Sequence, residues 1–201
     1  MRIRRFFTAA AVILSICGCD TQQNEVGTAA SDGVLSENSG LSSQDILDES
    51  ESFSNECSII LDNTISINGS GAWIDNNCIT INESGVYTIT GKMSDGMIFV
   101  DPEETVKLVL DNAEITNKSG AAIVAESGKL FIVATDGTEN FITDGKEYTF
   151  VRDFENEDSL RSAIHSEGSI FFKGGTGKIS INARYKDAVH GQGGSVYDCT
   201  L

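Results

Sequence analysis

From Cys57 onward the chain alternates short apolar runs with clusters of Gly, Asn, Asp and Ser. The runs are Ile59-Ile60-Leu61, Ile65-Ser66-Ile67, Ile79-Thr80-Ile81, Val86-Tyr87-Thr88-Ile89, Met97 to Val100, Val106 to Leu110, Leu130 to Val133, Ile170 to Phe172 and Ile179-Ser180-Ile181. None continues long enough to show a helical period. The in-out alternation of Ile79-Thr80-Ile81 and Ile179-Ser180-Ile181 is the signature of a strand with one buried face. The single proline, Pro102, stands in the turn-like Asp101-Pro102-Glu103-Glu104. The pattern predicts an all-β domain.

The runs also repeat. Ala122-Ile123-Val124, Ala163-Ile164-His165 and Ala188-Val189-His190 are each followed, after a short Gly-containing turn, by a second β run. Ile164 and Val189 are 25 residues apart, as are Ile98 and Ile123; the 41 residues from Ile123 to Ile164 are one such step plus an insertion of 16. A period of this size is the mark of a stacked architecture. Three short strands per period predict a right-handed parallel β-helix, in which like residues stack about 4.8 Å apart in aliphatic ladders. A β-sandwich gives no reason for such near-identical units, and a propeller blade needs a longer repeat with four strands. Ile123, Leu130, Ile164, Ile170 and Val189 are expected to point inward. The last run, Val196 to Leu201, reads as a strand cut off within a coil, so the β-helix is expected to be truncated at its C-terminal end.

The N-terminus adds a compartment. Arg2, Arg4 and Arg5 precede an apolar stretch from Phe6 to Ile16, too short for the roughly 20 residues of a membrane span, and this predicts a secretory signal. Ile16-Cys17-Gly18-Cys19 resembles a bacterial lipobox, which makes residues 1–18 a lipoprotein signal peptide and Cys19 the lipidated residue; an ordinary signal cut nearby is the alternative. Asp20 after Cys19 resembles an inner-membrane retention signal of some Gram-negative lipoproteins. The expected location is therefore the bacterial cell envelope, outside the cytoplasm. Residues 19–56 are predicted to form a disordered acidic tether, since Asp20 to Glu56 holds nine acids and no Lys or Arg. Such a coil reaches roughly 30–35 Å. The folded domain is then 57–201.

Charge narrows the partners. The chain carries 14 basic and 30 acidic residues, net −16; loss of residues 1–18 takes three arginines with it and leaves −19. Phosphate backbones are bound by clustered Lys and Arg, so nucleic acid is excluded as a partner. An acidic polymer would also be repelled unless cations bridge the two. Gly174-Gly175-Thr176-Gly177-Lys178 lacks the hydroxyl residue of a phosphate-binding loop, because Ile179 follows Lys178. The same Ile179 stands where a calcium-binding glycine-rich repeat has Asp, and no EF-hand loop occurs.

Cys57 and Cys78, each just before an Ile-rich run, are expected to stack on adjacent coils, where a Cα separation near 4.8 Å permits a disulfide; two buried thiols are the other reading. His165 and His190 hold equivalent positions in two units and are expected to stack, either as ladder packing or as a metal or acid/base pair.

Further phrases point to a family. Ser84-Gly85-Val86-Tyr87-Thr88-Ile89-Thr90-Gly91, Val106 to Thr116, Ser119-Gly120-Ala121-Ala122-Ile123, Thr135 to Asn140, Thr143-Asp144-Gly145 and Tyr185 to His190 follow one another in an order that resembles the bacterial carbohydrate-binding β-helix family. The resemblance covers residues 79 to 198. It implies a pectate-lyase-like fold, binding of polygalacturonate-type acidic polysaccharide, and calcium. Turn acids stacked on neighbouring coils could supply the oxygen ligands calcium needs; the candidates are Asp187 and, in the insertion, Asp153, Glu155, Glu157 and Asp158. A solvated acidic surface is the plainer reading of each.

No catalytic set stands out. Arg184, Lys186 and Arg161 are the only basic residues placed to serve a polysaccharide lyase of this fold, and no nucleophile–base spacing can be defended. Three functions remain: a non-catalytic polysaccharide-binding module, with Trp73, Tyr87, Tyr148, Tyr185 and Tyr197 as possible sugar-stacking groups; a lyase or hydrolase on the same scaffold; and a structural or adhesive surface solenoid.

Overall fold

The computed structural model describes Phe53, residues 55–149 and residues 160–196. The described residues form strands and turns without helices. In chain order the strands are β1 (Glu56–Leu61), β2 (Ser66–Asn68), β3 (Ala72–Asp75), β4 (Cys78–Ile81), β5 (Gly85–Met93), β6 (Met97–Val100), β7 (Thr105–Thr116), β8 (Ile123–Ala125), β9 (Lys129–Ala134), β10 (Glu139–Thr143), β11 (Ser162–Ser166), β12 (Ser169–Lys173), β13 (Lys178–Asn182), β14 (Asp187–His190) and β15 (Gly193–Val196). They make two open sheets. One runs β14-β11-β8-β6-β4-β3; the other runs β15-β12-β9-β7-β5-β1-β2, with β10 and β13 branching from β7.

From β4 to β9 the chain alternates between the sheets, and from β4 on every pair joins parallel strands one winding apart. The register is the one the 25-residue step predicts. Ile79, Ile98, Ile123 and Ile164 are partners in sequence across β4, β6, β8 and β11, and all are fully buried. Each contributes about 1.5–3 kcal/mol of burial. The insertion after β10 leaves this ladder intact, because Ile164 still pairs with Ile123. Val189 is in register with Ile164 and shares its inward face, but it is 36% exposed because β14 is the edge of its sheet among the described residues.

The other sheet supplies the facing ladders. Tyr87, Leu108, Ile132 and Phe172 are successive partners in β5, β7, β9 and β12. Met93, Ile115, Ile142 and Ile181 line up on the segment that branches through β10 and β13. The branch begins where β7 bends: Asn112 takes φ 52° and is skipped in the pairing, a bulge that turns the strand. Asn140, almost wholly buried, accepts from Ala113 N at 2.9 Å and donates to Lys178 O at 3.1 Å, so one amide satisfies the backbone of both neighbouring windings at this corner.

The start of the domain departs from an all-parallel expectation. β1 pairs β2, and β3 pairs β4, antiparallel. Residues 62–65 and the Asn76-Asn77 turn are too short for a parallel crossover, which needs a dozen or more residues. This corrects the cysteine pairing. One winding on from Cys57 is Tyr87, whereas Cys78 lies in the other sheet beside Met97. Both cysteines are buried and no disulfide joins them, and burial pushes the Cys57 thiol pKa up.

Candidate functional site

Outward from the isoleucine ladder, the second sheet presents another row. Trp73 pairs Thr80, Thr80 pairs Phe99, Phe99 pairs Val124, Val124 pairs His165, and His165 pairs His190. Directly paired residues share a face. The middle of the row is buried: Phe99 and Val124 join Cys78, Met97, Ala121 and Leu160 in a second apolar cluster, with Tyr148 packed against it. The stem of the insertion thus covers the centre of this face. Thr149 N donates to Ser119 O and Gly145 N to Gly120 O, which ties the stem to the turn before β8.

At the β3 edge the face is open. A cleft of about 650 Å³ is lined by residues of three successive turns, with Trp73, Asp75, Asn76 and Asn77 from the β3–β4 hairpin, Asp95 and Gly96 before β6, and Asn117 and Ser119 before β8. That volume is within the roughly 300–1,000 Å³ of ligand pockets. Trp73, the only tryptophan in the chain, is 44% exposed. The turns stack closely. Met97 N donates to Asn77 O and Gly96 N to Thr116 O, each at 2.9 Å. A Cβ on Gly96 would stand 2.4 Å from Asn77 O and 2.6 Å from Met93 Sδ, so only glycine permits this approach.

The rim is hydrogen-bonding and anionic. Asn117 Nδ2 donates to Ala121 O at 2.7 Å, and its Oδ1 accepts from Ser119 N at 3.0 Å. Asp95 Oδ1 accepts from Lys118 N at 3.0 Å. Asn76, at φ 52°, donates to Asp75 Oδ1 at 3.2 Å. The described residues lining the cleft include no Lys, Arg or His. An apolar ring face beside short amides and carboxylates suits a ligand with one C–H face and a girdle of hydroxyl groups.

The sequence-predicted residues are dispersed. Cys19, Asp153, Glu155, Glu157, Asp158 and Tyr197 lie outside the described residues. Asp187 is exposed on β14, and its N–H donates to Arg161 O at 2.9 Å. No three His, Cys, Asp or Glu side chains converge among the described residues. Several turn acids act instead as acceptors for backbone N–H groups. Asp136 Oδ1 takes Thr176 N at 2.9 Å, and the fully buried Asp144 takes Arg184 N and the Tyr148 hydroxyl. Burial, reinforced by that carboxylate, raises the Tyr148 pKa far above the ordinary range.

The aromatics divide the same way. Tyr87 is core: its hydroxyl lies 2.7 Å from Glu83 O, and burial pushes its pKa up to about 12. Tyr148 and Tyr185 stack on each other at 4.6 Å, with Lys186 Nζ 5.0 Å from the Tyr185 ring. His165 and His190 stack as expected, with centroids 5.0 Å apart. His165 is buried, its Nε2 is 3.0 Å from Glu167 Oε1, and burial holds its pKa below the usual value despite that carboxylate. Sequence reasoning named Trp73 but missed its setting. The signal was there: Asp75-Asn76-Asn77, Asp95-Gly96 and Asn117 recur at about the spacing of a winding.

Three comparisons place the chain among known proteins. A protein of Acetivibrio thermocellus described as a carbohydrate-binding domain-containing protein is 35% identical over 107 residues, 52% of this chain and 36% of that protein. This chain therefore spans about a third of that relative's length. A solved structure of a polysaccharide lyase-like protein from C. thermocellum, a gadolinium derivative, superposes with a TM-score of 0.59 at 28% identity over 71% of this chain and 60% of that one. A family model described as carbohydrate-binding domain-containing protein matches residues 75–197, beginning two residues after Trp73. That match runs from the first turn of the cleft to beyond β15, and the chain belongs to this carbohydrate-binding domain family.

Proposed function

We propose that the protein is a non-catalytic polysaccharide-binding module, wound as a right-handed parallel β-helix, whose Trp73 cleft holds the glycan. The winding is supported by the alternation of parallel strands between two sheets at a 25-residue step. The observation that carries the function is the half-exposed indole beside Asp75, Asp95 and three asparagines on stacked turns. The pyranose C–H face rests on the ring while hydroxyl groups bond to the rim. Arg161, Arg184 and Lys186, the bases a lyase would use, are not among the residues lining the cleft, which favours binding over cleavage.

The preferred ligand in this reading is an acidic, polygalacturonate-like chain held with calcium. Net charge −16 and the exposed Asp75 carboxylate repel uronate groups, so a divalent ion must bridge them. Asp187, Asp153, Glu155, Glu157 and Asp158 are the first candidates to hold it. The module is tethered to the cell envelope through lipid on Cys19, and Cys19→Ala should move it from the membrane fraction to the soluble one; unchanged, correctly processed membrane retention would remove the anchor.

A glycan array probed with the purified domain, with calcium and with chelator, tests the function. Binding of acidic glycans that chelator abolishes is the expected result. Equally tight binding in chelator would refute the calcium bridge. Release of unsaturated sugar would make the protein a lyase, as its structural neighbour's description suggests, and binding to no glycan would leave a structural or adhesive solenoid.

A further inference from the structure

We propose that Asp95 is a positioning residue for the cleft: its carboxylate braces the far wall against the Trp73 strand and does not itself hold ligand. This rests on the glycan-binding reading above. The wall is the Asn117–Ser119 turn. From within the fold it is fixed by Asn117, whose N–H donates to Thr143 O at 2.9 Å and whose amide bonds to Ala121 O and Ser119 N. From the cleft side it is fixed by Asp95, a winding earlier. Oδ1 accepts from Lys118 N at 3.0 Å, and Oδ2 lies 4.0 Å from Lys118 Nζ. The backbone hydrogen bond ties one carboxylate oxygen directly to the turn, and the side-chain ion pair adds a weaker, solvent-screened contact on the other. Asp75, by contrast, bonds through Oδ1 to its own neighbour Asn76 and lines the cleft as an exposed side chain, which makes it the acceptor for a sugar hydroxyl or a bridging ion in this reading. The turn that carries Asp95 is fixed to the β3–β4 hairpin by Met97 N, which donates to Asn77 O at 2.9 Å, an approach that the missing Cβ of Gly96 permits.

The two carboxylates can be told apart by what an amide can replace. Asn at 95 retains an oxygen acceptor for Lys118 N but loses the charge; Ala loses both. Calcium-loaded domain is titrated with a polygalacturonate oligosaccharide and, in parallel, with a soluble neutral glucan, using Trp73 emission as the signal. The Lys118 amide proton is followed by NMR without ligand. Asp95→Asn should keep affinity within about twofold and keep the Lys118 amide shift. Asp95→Ala should lose both, with affinity down about tenfold, equivalent to about 1.4 kcal/mol. Asp95→Asn that binds as weakly as Asp95→Ala while keeping the Lys118 shift would mean that the charge meets ligand, and the proposal would fall. An unchanged Lys118 amide in Asp95→Ala would equally overturn it. If wild type binds neither probe, the glycan-binding reading fails by itself, and the Lys118 measurement still decides the brace.

Discussion

The two ends of the outer row on the second sheet make a natural experiment. Trp73 and His190 both stand on edge strands in register with the same line of residues, and each puts an aromatic ring at the border of a covered apolar patch. At the histidine end the ring is spent on its neighbour: His190 lies face to face with His165. At the tryptophan end the neighbour in the row is Thr80, a short side chain that offers no ring for stacking. Parallel stacking of like units pairs like rings in a ladder, whereas the antiparallel hairpin breaks the likeness and sets a half-exposed ring at the sheet edge. A binding surface arises where the repeat is violated.

The largest effect that sharpens this contrast comes from the other side of the same strands. Ile164→Asp puts an unpaired charge into the isoleucine ladder beside His165, at a cost of several kcal/mol, and should leave the domain unfolded by circular dichroism. A folded variant with a native melting midpoint would show that the ladder is not the core. Next in size is the row itself. Trp73→Ala should cut glycan affinity at least tenfold and leave the thermal midpoint nearly unchanged, since the ring is half-exposed. His190→Ala should do the reverse, with affinity retained and the midpoint lowered by loss of the stacked ring. Equal affinity losses in both variants would erase the distinction between the two ends.

The smallest effect is in pH. Burial depresses the His165 pKa in the folded protein, so the unfolded chain, with its pKa near 6.5, binds the proton first as pH falls. The neutral ring's contribution to stability is complete above about pH 6.5 and declines as pH drops below it toward the folded pKa. His165→Gln should therefore be less stable at neutral pH yet show a flatter stability profile between neutral and mildly acidic pH, read by urea midpoints. A wild-type midpoint that rises on acidification over this window would contradict a buried neutral imidazole.

Much of the fold was legible because its driving pattern is one-dimensional. The 25-residue step, the 16-residue insertion and the His165–His190 stack are all properties of spacing, and they reappear as pairing register. The opening hairpins were not legible from that pattern, since Ile65-Ser66-Ile67 and Ile79-Thr80-Ile81 read as strands without stating a direction. Direction depends on the length of the intervening turns, and misjudging it put Cys57 and Cys78 on adjacent windings when they lie in different sheets. The cleft was harder still. Its rim is Asp, Asn, Gly and Ser, the same residues that make every other turn, and Asp136 and Asp144 show how often such acids serve the backbone. Only the coincidence of three rim turns with one half-exposed tryptophan sets the site apart.

The corner after β10 has a consequence for how such a chain can change. Sixteen extra residues enter between Thr143 and Ser162, and the next strand still finds Ile123. Length added at that corner is therefore mechanically silent: it does not propagate as a slip into later windings, unlike an insertion within a strand, which would turn every following side chain to the opposite face. The same corner sends its stem over Phe99 and Val124, next to the cleft turns. Evolution, or a protein engineer, can exchange the peptide hung there while the scaffold beneath keeps its count.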